Sequence, residues 1–205
     1  MIKPDKYKTI TTASTGDFRD RGSKFLAFAY PVVSLGEIKE RFLALKKEHP
    51  KAVHHCYAFR VGTDGTQFRA NDDGEPSGSA GKPILGQIDS LGLTNVLVVV
   101  VRYFGGSLLG IPGLINAYKT ATAQALESVE KAEKWIESKF EINFDYPVMG
   151  EVLNVLKRAE ASIYRQEMQL FCVVEAGIPT IFCDNCIGRL DEIRGVKVKT
   201  VTTEH

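Results

Sequence analysis

Several groups of residues in this 205-residue chain have types and spacings that chemistry can use. Asp72, Asp73 and Glu75 place three carboxylates within four residues, inside the run DDGEPSGSAG. Such a trio can hold a divalent cation, although no downstream acid completes a calcium loop. DDGEP is also good turn chemistry, and both readings stand. Ser77 and Ser79 follow in the same loop, and neither they nor Ser107 lie in a G-x-S-x-G nucleophile elbow. His54-His55 looks like a metal motif. Adjacent strand residues point to opposite faces, however, so the pair is poorly placed to share one ion. Cys183 and Cys186 form a CxxC without the second pair that a structural zinc needs. A redox pair opens a helix after a strand. This one is expected inside an apolar-periodic helix with Leu190 and Ile193, as small buried hydrophobes. No nucleophile–base pair is evident, so no catalytic residue is assigned and no metal site is predicted.

A second glycine cluster runs from Tyr103 and Phe104 through Gly105 and Gly106 to Gly110. Half of the 18 glycines lie between residues 72 and 118. The cluster follows the most apolar stretch of the chain, 96–101, which is closed by Arg102. It leads into a long helix expected to begin near Pro112, a natural first helical residue, and to run to about Lys134. Amide groups and dipole at a helix N-terminus attract anions, and ligands gather at the C-terminal ends of strands in α/β folds. The GK[ST] ending of a Walker A loop is missing. Close helix–strand packing through glycine is the competing explanation.

These residues need elements to position them. A strand is expected at 7–12, a polar turn at 14–17 and a strand at 25–33. Ser34 caps a helix over 35–48, with Glu37 placed as in a capping box. A hairpin spans 54–61 and 66–70, and a helix follows at 79–91. The strand at 95–103 is apolar on both faces, hence central in a sheet. The charged stretch 127–139 reads as helix end and linker. Beyond it come a strand (140–146), a helix (148–160), two strands (161–166 and 169–176), a helix (179–194) and a strand (196–201). That βαββαβ order is the ferredoxin-like split βαβ unit. The expected class is α+β, with domains at 1–135 and 136–205.

Composition bounds the function. Hydrophobic residues make up 44% and charged residues 25%, and the formal net charge is +1. That balance excludes a general polycation coating nucleic acid, while leaving room for a local basic patch. MIKPDKYKTITTAS lacks the apolar core of a signal peptide, and no apolar run reaches the roughly 20 residues that span a bilayer. The four cysteines are therefore expected as reduced thiols in a cytoplasmic protein. His205 reads equally as a native residue or a tag remnant.

HHCYAFRV, DDGEPSGSAGKPIL and VVVVRYFGGSLLGIPGLINAY, in that order and with Ser23-Lys24-Phe25 upstream, closely resemble the bacterial YigZ branch of the IMPACT family. The resemblance implies an N-terminal fold like the second domain of ribosomal protein S-five. That fold is shared with domain four of elongation factor G and with the protein part of ribonuclease P. It also implies a small ferredoxin-like second domain. It implies no established enzymatic activity. Eukaryotic relatives are translational regulators that bind the activator of a starvation-sensing initiation-factor kinase. That partner system is eukaryotic and is not carried over.

Two functions follow as expectations. One is a non-catalytic module contacting RNA, the ribosome or a translation-regulatory partner. Lys24, Arg60, Arg69, Lys82 and Arg102, with Arg19 and Arg21, would meet phosphates, and Tyr103 and its aromatic neighbours would stack on bases. The other is an enzyme or small-molecule binder for a phosphorylated ligand. Asp72, Asp73 or Glu75 would then hold magnesium, with Gly105, Gly106 and Gly110 around the phosphate; His54, His55 and Ser77 are grouped with the three acids as a candidate functional loop.

Overall fold

The computed structural model describes residues 5–201, and they divide into two compact units. One spans Tyr7–Lys134; the other holds Asp5, Lys6 and the chain from Trp135 onward. Up to residue 135 the elements are β1 (Lys6–Ile10), β2 (Ser14–Asp20), β3 (Ser23–Pro31), α1 (Leu35–Glu48), β4 (His54–Val61), β5 (Gln67–Asn71), α2 (Gly81–Ser90), β6 (Val96–Tyr103), α3 (Gly110–Glu127) and β7 (Lys131–Trp135).

The apolar run becomes β6, the middle strand of a sheet ordered β2-β3-β6-β4-β5, with every neighbouring pair antiparallel. Its residues alternate between two cores. Val96, Val98 and Val100 pack with Ile84, Ile88 and Leu114 of α2 and α3. Leu97, Val99 and Val101 pack with Ile38 and Leu45 of α1. A strand covered on both sides has no polar face, which is why this one reads as a continuous apolar run. Each such side chain taken from water contributes about 1.5–3 kcal/mol. α1 starts where Ser34 Oγ accepts the Glu37 N–H at 3.2 Å, while the Glu37 carboxylate accepts the Val33 N–H at 2.9 Å.

The polar stretch 14–17 is part of strand β2, not a turn. It pairs with β3 and lies under α3, where Ser14 Oγ donates to the Ala125 carbonyl at 2.7 Å. Gly16 makes this approach feasible, because a Cβ there would overlap the α3 backbone at Ala121. The stretch 127–139 is not a linker either. α3 ends at Glu127, and two strands follow almost at once. β7 pairs with β1 in a two-stranded sheet and carries no buried residue. It therefore lacks the alternation that marks a half-buried strand.

The second unit contains β8 (Glu137–Asp145), α4 (Met149–Arg158), β9 (Ser162–Glu167), β10 (Phe171–Pro179), α5 (Cys183–Asp191) and β11 (Lys197–Thr200). Short 3₁₀ turns, Tyr146–Val148 and Thr180–Phe182, lead into the two helices. The sheet order is β11-β8-β10-β9, antiparallel throughout. Ile142, Phe144, Val152, Leu156, Val174, Ile178 and Leu190 form its core. Cys183 opens α5 just after a strand and turn, where a helix-interior position was expected. Burial nevertheless raises both thiols of the CxxC, Cys186 to about 11, the opposite of the lowered value a reactive pair needs. No described helix is long and apolar enough to cross a membrane. His205 lies outside the described residues.

Candidate functional site

β4 and β6 register His54 opposite Arg102 at one end of the sheet's inner strands, and the loop after β5 closes over it. Glu75 is its centre, only 8% exposed. Arg102 Nη1 donates to Glu75 Oε1 at 2.6 Å, and the Tyr118 hydroxyl, from α3, donates to the same oxygen at 2.7 Å. His54 Nε2 stands 3.9 Å from that oxygen. The Cys56 thiol lies 2.9 Å from the Asp72 carbonyl and 3.3 Å from the Tyr118 hydroxyl. Burial is the main cause that pushes Cys56 and Tyr118 far above their ordinary values. Both keep their protons at neutral pH, so Tyr118 stays a donor. The Arg102 side chain is 7% exposed and that of Glu75 3%, so this is a buried ion pair, and each charge depends on the other.

The neighbouring carboxylates turn elsewhere. Asp72 accepts the amide N–H of Gly78 at 2.9 Å, of Ala80 at 3.0 Å and of Gly81 at 2.8 Å. It therefore caps α2 from eight residues upstream and occupies the anion site that a helix N-terminus offers. Burial works against its charge, but these three amides outweigh burial and hold its carboxyl below the usual range. Asp73 Oδ2 accepts the His55 N–H at 2.7 Å and lies 4.0 Å from His55 Nδ1, while Oδ1 is 3.8 Å from Lys46 Nζ. The Asp73 carbonyl is 2.7 Å from His54 Nδ1, which places the proton on that nitrogen. His55 faces the α1 side; burial lowers it, and Asp73 opposes the shift. Ser77 is exposed. The three carboxylates thus diverge. Among the described residues no group of three His, Cys, Asp or Glu side chains is arranged to hold a metal ion.

The loop from Tyr103 to Gly110 is built differently. Gly105 packs on the β2–β3 turn so tightly that a Cβ would overlap the backbone of Gly22 and Ser23. Its N–H donates to Ser23 Oγ at 3.1 Å. Gly106 (φ +87°) and Gly110 (φ +71°) supply left-handed backbone. α3 begins at Gly110, two residues before the expected Pro112. Arg21 Nη1 donates to the Leu108 carbonyl at 3.4 Å, and the Tyr103 hydroxyl is 2.9 Å from His49 Nδ1. Phe104 and Leu108 are 48% and 83% exposed. Lys24 and Arg19, also at this turn, each lie 3.6 Å from Asp17.

The remaining cations scatter. Arg60 is bound to Asp89 at 2.7 Å and lies over the Phe68 ring. Arg69 is exposed on β5, and Lys82 is exposed on α2 near Asp72. Because β2 and β5 are opposite edges of the sheet, the cations expected from sequence do not form one patch. Arg102, expected to meet a ligand, faces inward. Sequence reasoning passed over Cys56 and Tyr118. The available signal was a tyrosine in the apolar stripe Leu114, Ala117, Tyr118, Ala121, where a buried hydroxyl requires a partner.

The Impact N-terminal domain family matches residues 21–126. An IMPACT family member from Haemophilus influenzae is 36% identical over 149 residues, 72% of this chain and 72% of its own length. YigZ of Escherichia coli, also an IMPACT family member, is 35% identical over 138 residues, 66% of this chain and 68% of that one. The crystal structure of a hypothetical protein matches 98% of this chain and 100% of its own, with TM-score 0.73 and 28% identity. The chain belongs to the IMPACT family.

Proposed function

We propose that this is a non-catalytic binding protein linked to translation, which contacts RNA or a ribosome-associated partner through the β2–β3 turn and the Tyr103–Gly110 loop. The observation that carries the reading is the Gly22–Gly105 contact. It seats a turn bearing Arg19, Arg21 and Lys24 against a loop that exposes Phe104 and Leu108. Such cations meet phosphates, and an exposed ring stacks on a base. Asp17 and Asp20 on the same strand limit the charge, which suits a local contact better than indiscriminate coating. The link to translation rests on the family resemblance. A cytoplasmic location belongs to the same proposal. So do a fold like the second domain of ribosomal protein S-five for 1–135 and a ferredoxin-like fold for 136–205. The βαββαβ order and its antiparallel sheet support the latter. A magnesium site for a phosphorylated ligand needs free carboxylates, whereas Asp72, Asp73 and Glu75 each have another partner.

The test is anisotropy of a labelled single-stranded RNA, with ribosome co-sedimentation, each at two salt concentrations. Binding should weaken as salt rises, and Arg19→Ala with Arg21→Ala should flatten that dependence by roughly one unit of slope for each phosphate no longer neutralised. Phe104→Ala should weaken binding by about 1–3 kcal/mol. Binding indifferent to salt, or unchanged when Arg19→Ala, Arg21→Ala and Phe104→Ala are combined, overturns the proposal.

A further inference from the structure

The second unit holds an open cavity of about 170 Å³, a cleft between α4 and α5. α4 and the residue that ends it line it with Val155, Arg158 and Ala159; the segment entering and forming α5 lines it with Phe182, Asn185, Cys186 and Arg189. These spacings of three and four are the facing stripes of two helices. The lining is divided by chemistry. Val155, Ala159, Phe182 and Cys186 make an apolar floor, and burial keeps the Cys186 thiol uncharged at neutral pH by raising it to about 11. Arg158, Asn185 and Arg189 are exposed and supply a polar rim. Among the described residues neither of these arginines has an ion-pair partner; the arginines that do are Arg19, Arg60, Arg102 and Arg165.

We infer that this cavity binds a small organic anion with an apolar body: one ring or a short branched chain carrying a carboxylate or a phosphate monoester. The guanidinium fork matches either head group. The volume suits a single ring, since an apolar cavity of about 150 Å³ takes up benzene, and it falls below the roughly 300 Å³ at which drug-sized pockets begin. Inorganic phosphate alone would leave the apolar floor facing water. The site lies outside the surface assigned to RNA or a ribosomal partner.

Trp135, the chain's one tryptophan, packs edge-on against Phe182 with ring centroids 5.8 Å apart, so its emission reports on the cavity. The experiment titrates the full chain with phenylacetate, phenyl phosphate, benzyl alcohol and inorganic phosphate, following calorimetric heat and Trp135 emission. Phenylacetate or phenyl phosphate should bind saturably, and whichever binds tighter identifies the head group. Benzyl alcohol and inorganic phosphate should bind at least tenfold more weakly. The exposed pair Arg158→Gln and Arg189→Gln should lose at least tenfold with an unchanged circular dichroism spectrum, and Ala159→Leu should fill the floor and abolish binding. The inference is overturned by no saturable signal with either aromatic anion. Benzyl alcohol binding as tightly as the anions, or a double arginine variant binding like the parent, also overturns it.

Discussion

The loop at 72–81 turns its charged groups inward, whereas the loop at 103–110 leaves Phe104 and Leu108 facing outward. Both are glycine-rich, and both precede a helix whose first residue is glycine. The difference is their acid content. The first loop brings its own carboxylates: Asp72 fills the amide cluster at the start of α2, and Glu75 neutralises Arg102. The second loop contains no acid. Its glycine packs it against Gly22, and Phe104 and Leu108 are left exposed. A glycine-rich stretch before a helix is therefore not by itself a ligand cradle; a nearby Asp can take the ligand's place.

The contrast is tested most severely by Glu75→Ala, which strands a buried guanidinium. It should cost about 3–5 kcal/mol in urea unfolding, while Glu75→Leu combined with Arg102→Met should recover most of that loss. A single-variant cost under about 1 kcal/mol would show that the site is not closed. Gly105→Ala comes next. It drives a methyl into the Gly22 backbone and should cost about 3 kcal/mol, at the upper end of overpacking. Gly106→Ala, with open space around it, should cost only about 1–2 kcal/mol for its left-handed backbone.

Asp72→Ala should cost about 1–2 kcal/mol, as for a missing helix cap. It empties the amide cluster, so sulfate should raise the variant's melting temperature more than the parent's. The folded carboxyl titrates below its ordinary value. Its contribution is thus complete above about pH 4 and is lost as pH falls further. The variant's stability should accordingly be flatter than the parent's in that acid window. The smallest effect belongs to Phe104→Ala, which should leave stability within about 0.5 kcal/mol of the parent, because the ring is exposed. A larger loss would make that loop a packed element like its counterpart.

Much of the fold was legible because local chemistry agreed with it. Ser34 and Glu37 capped α1, the unbroken valines announced β6, and Gly62 to Gly65 turned the β4–β5 hairpin. β7 was illegible because its partner β1 lies far upstream and none of its residues is buried, whereas β2 pairs with its neighbour β3 and was hidden by its polar, half-exposed residues. In the site, the sequence marked Asp72, Asp73, Glu75 and Arg102 but not how they pair. Glu75 reaches Tyr118 across 43 positions, a distance at which spacing carries no signal. An arginine ending a buried strand reads as a surface charge until its carboxylate is located in space.

The pairing of β1 with β7 has a consequence in time. Beside it, Thr11 contacts the Glu130 carbonyl through its N–H at 3.0 Å and its hydroxyl at 3.2 Å, 119 positions along the chain. At roughly 5–20 residues per second, a ribosome needs about 6–24 s to make that span. Through that interval the first strand has left the peptidyl-transferase centre without the strand it pairs with. A nascent chain halted before residue 130 carries an unpaired β-edge, the kind of surface on which chains aggregate.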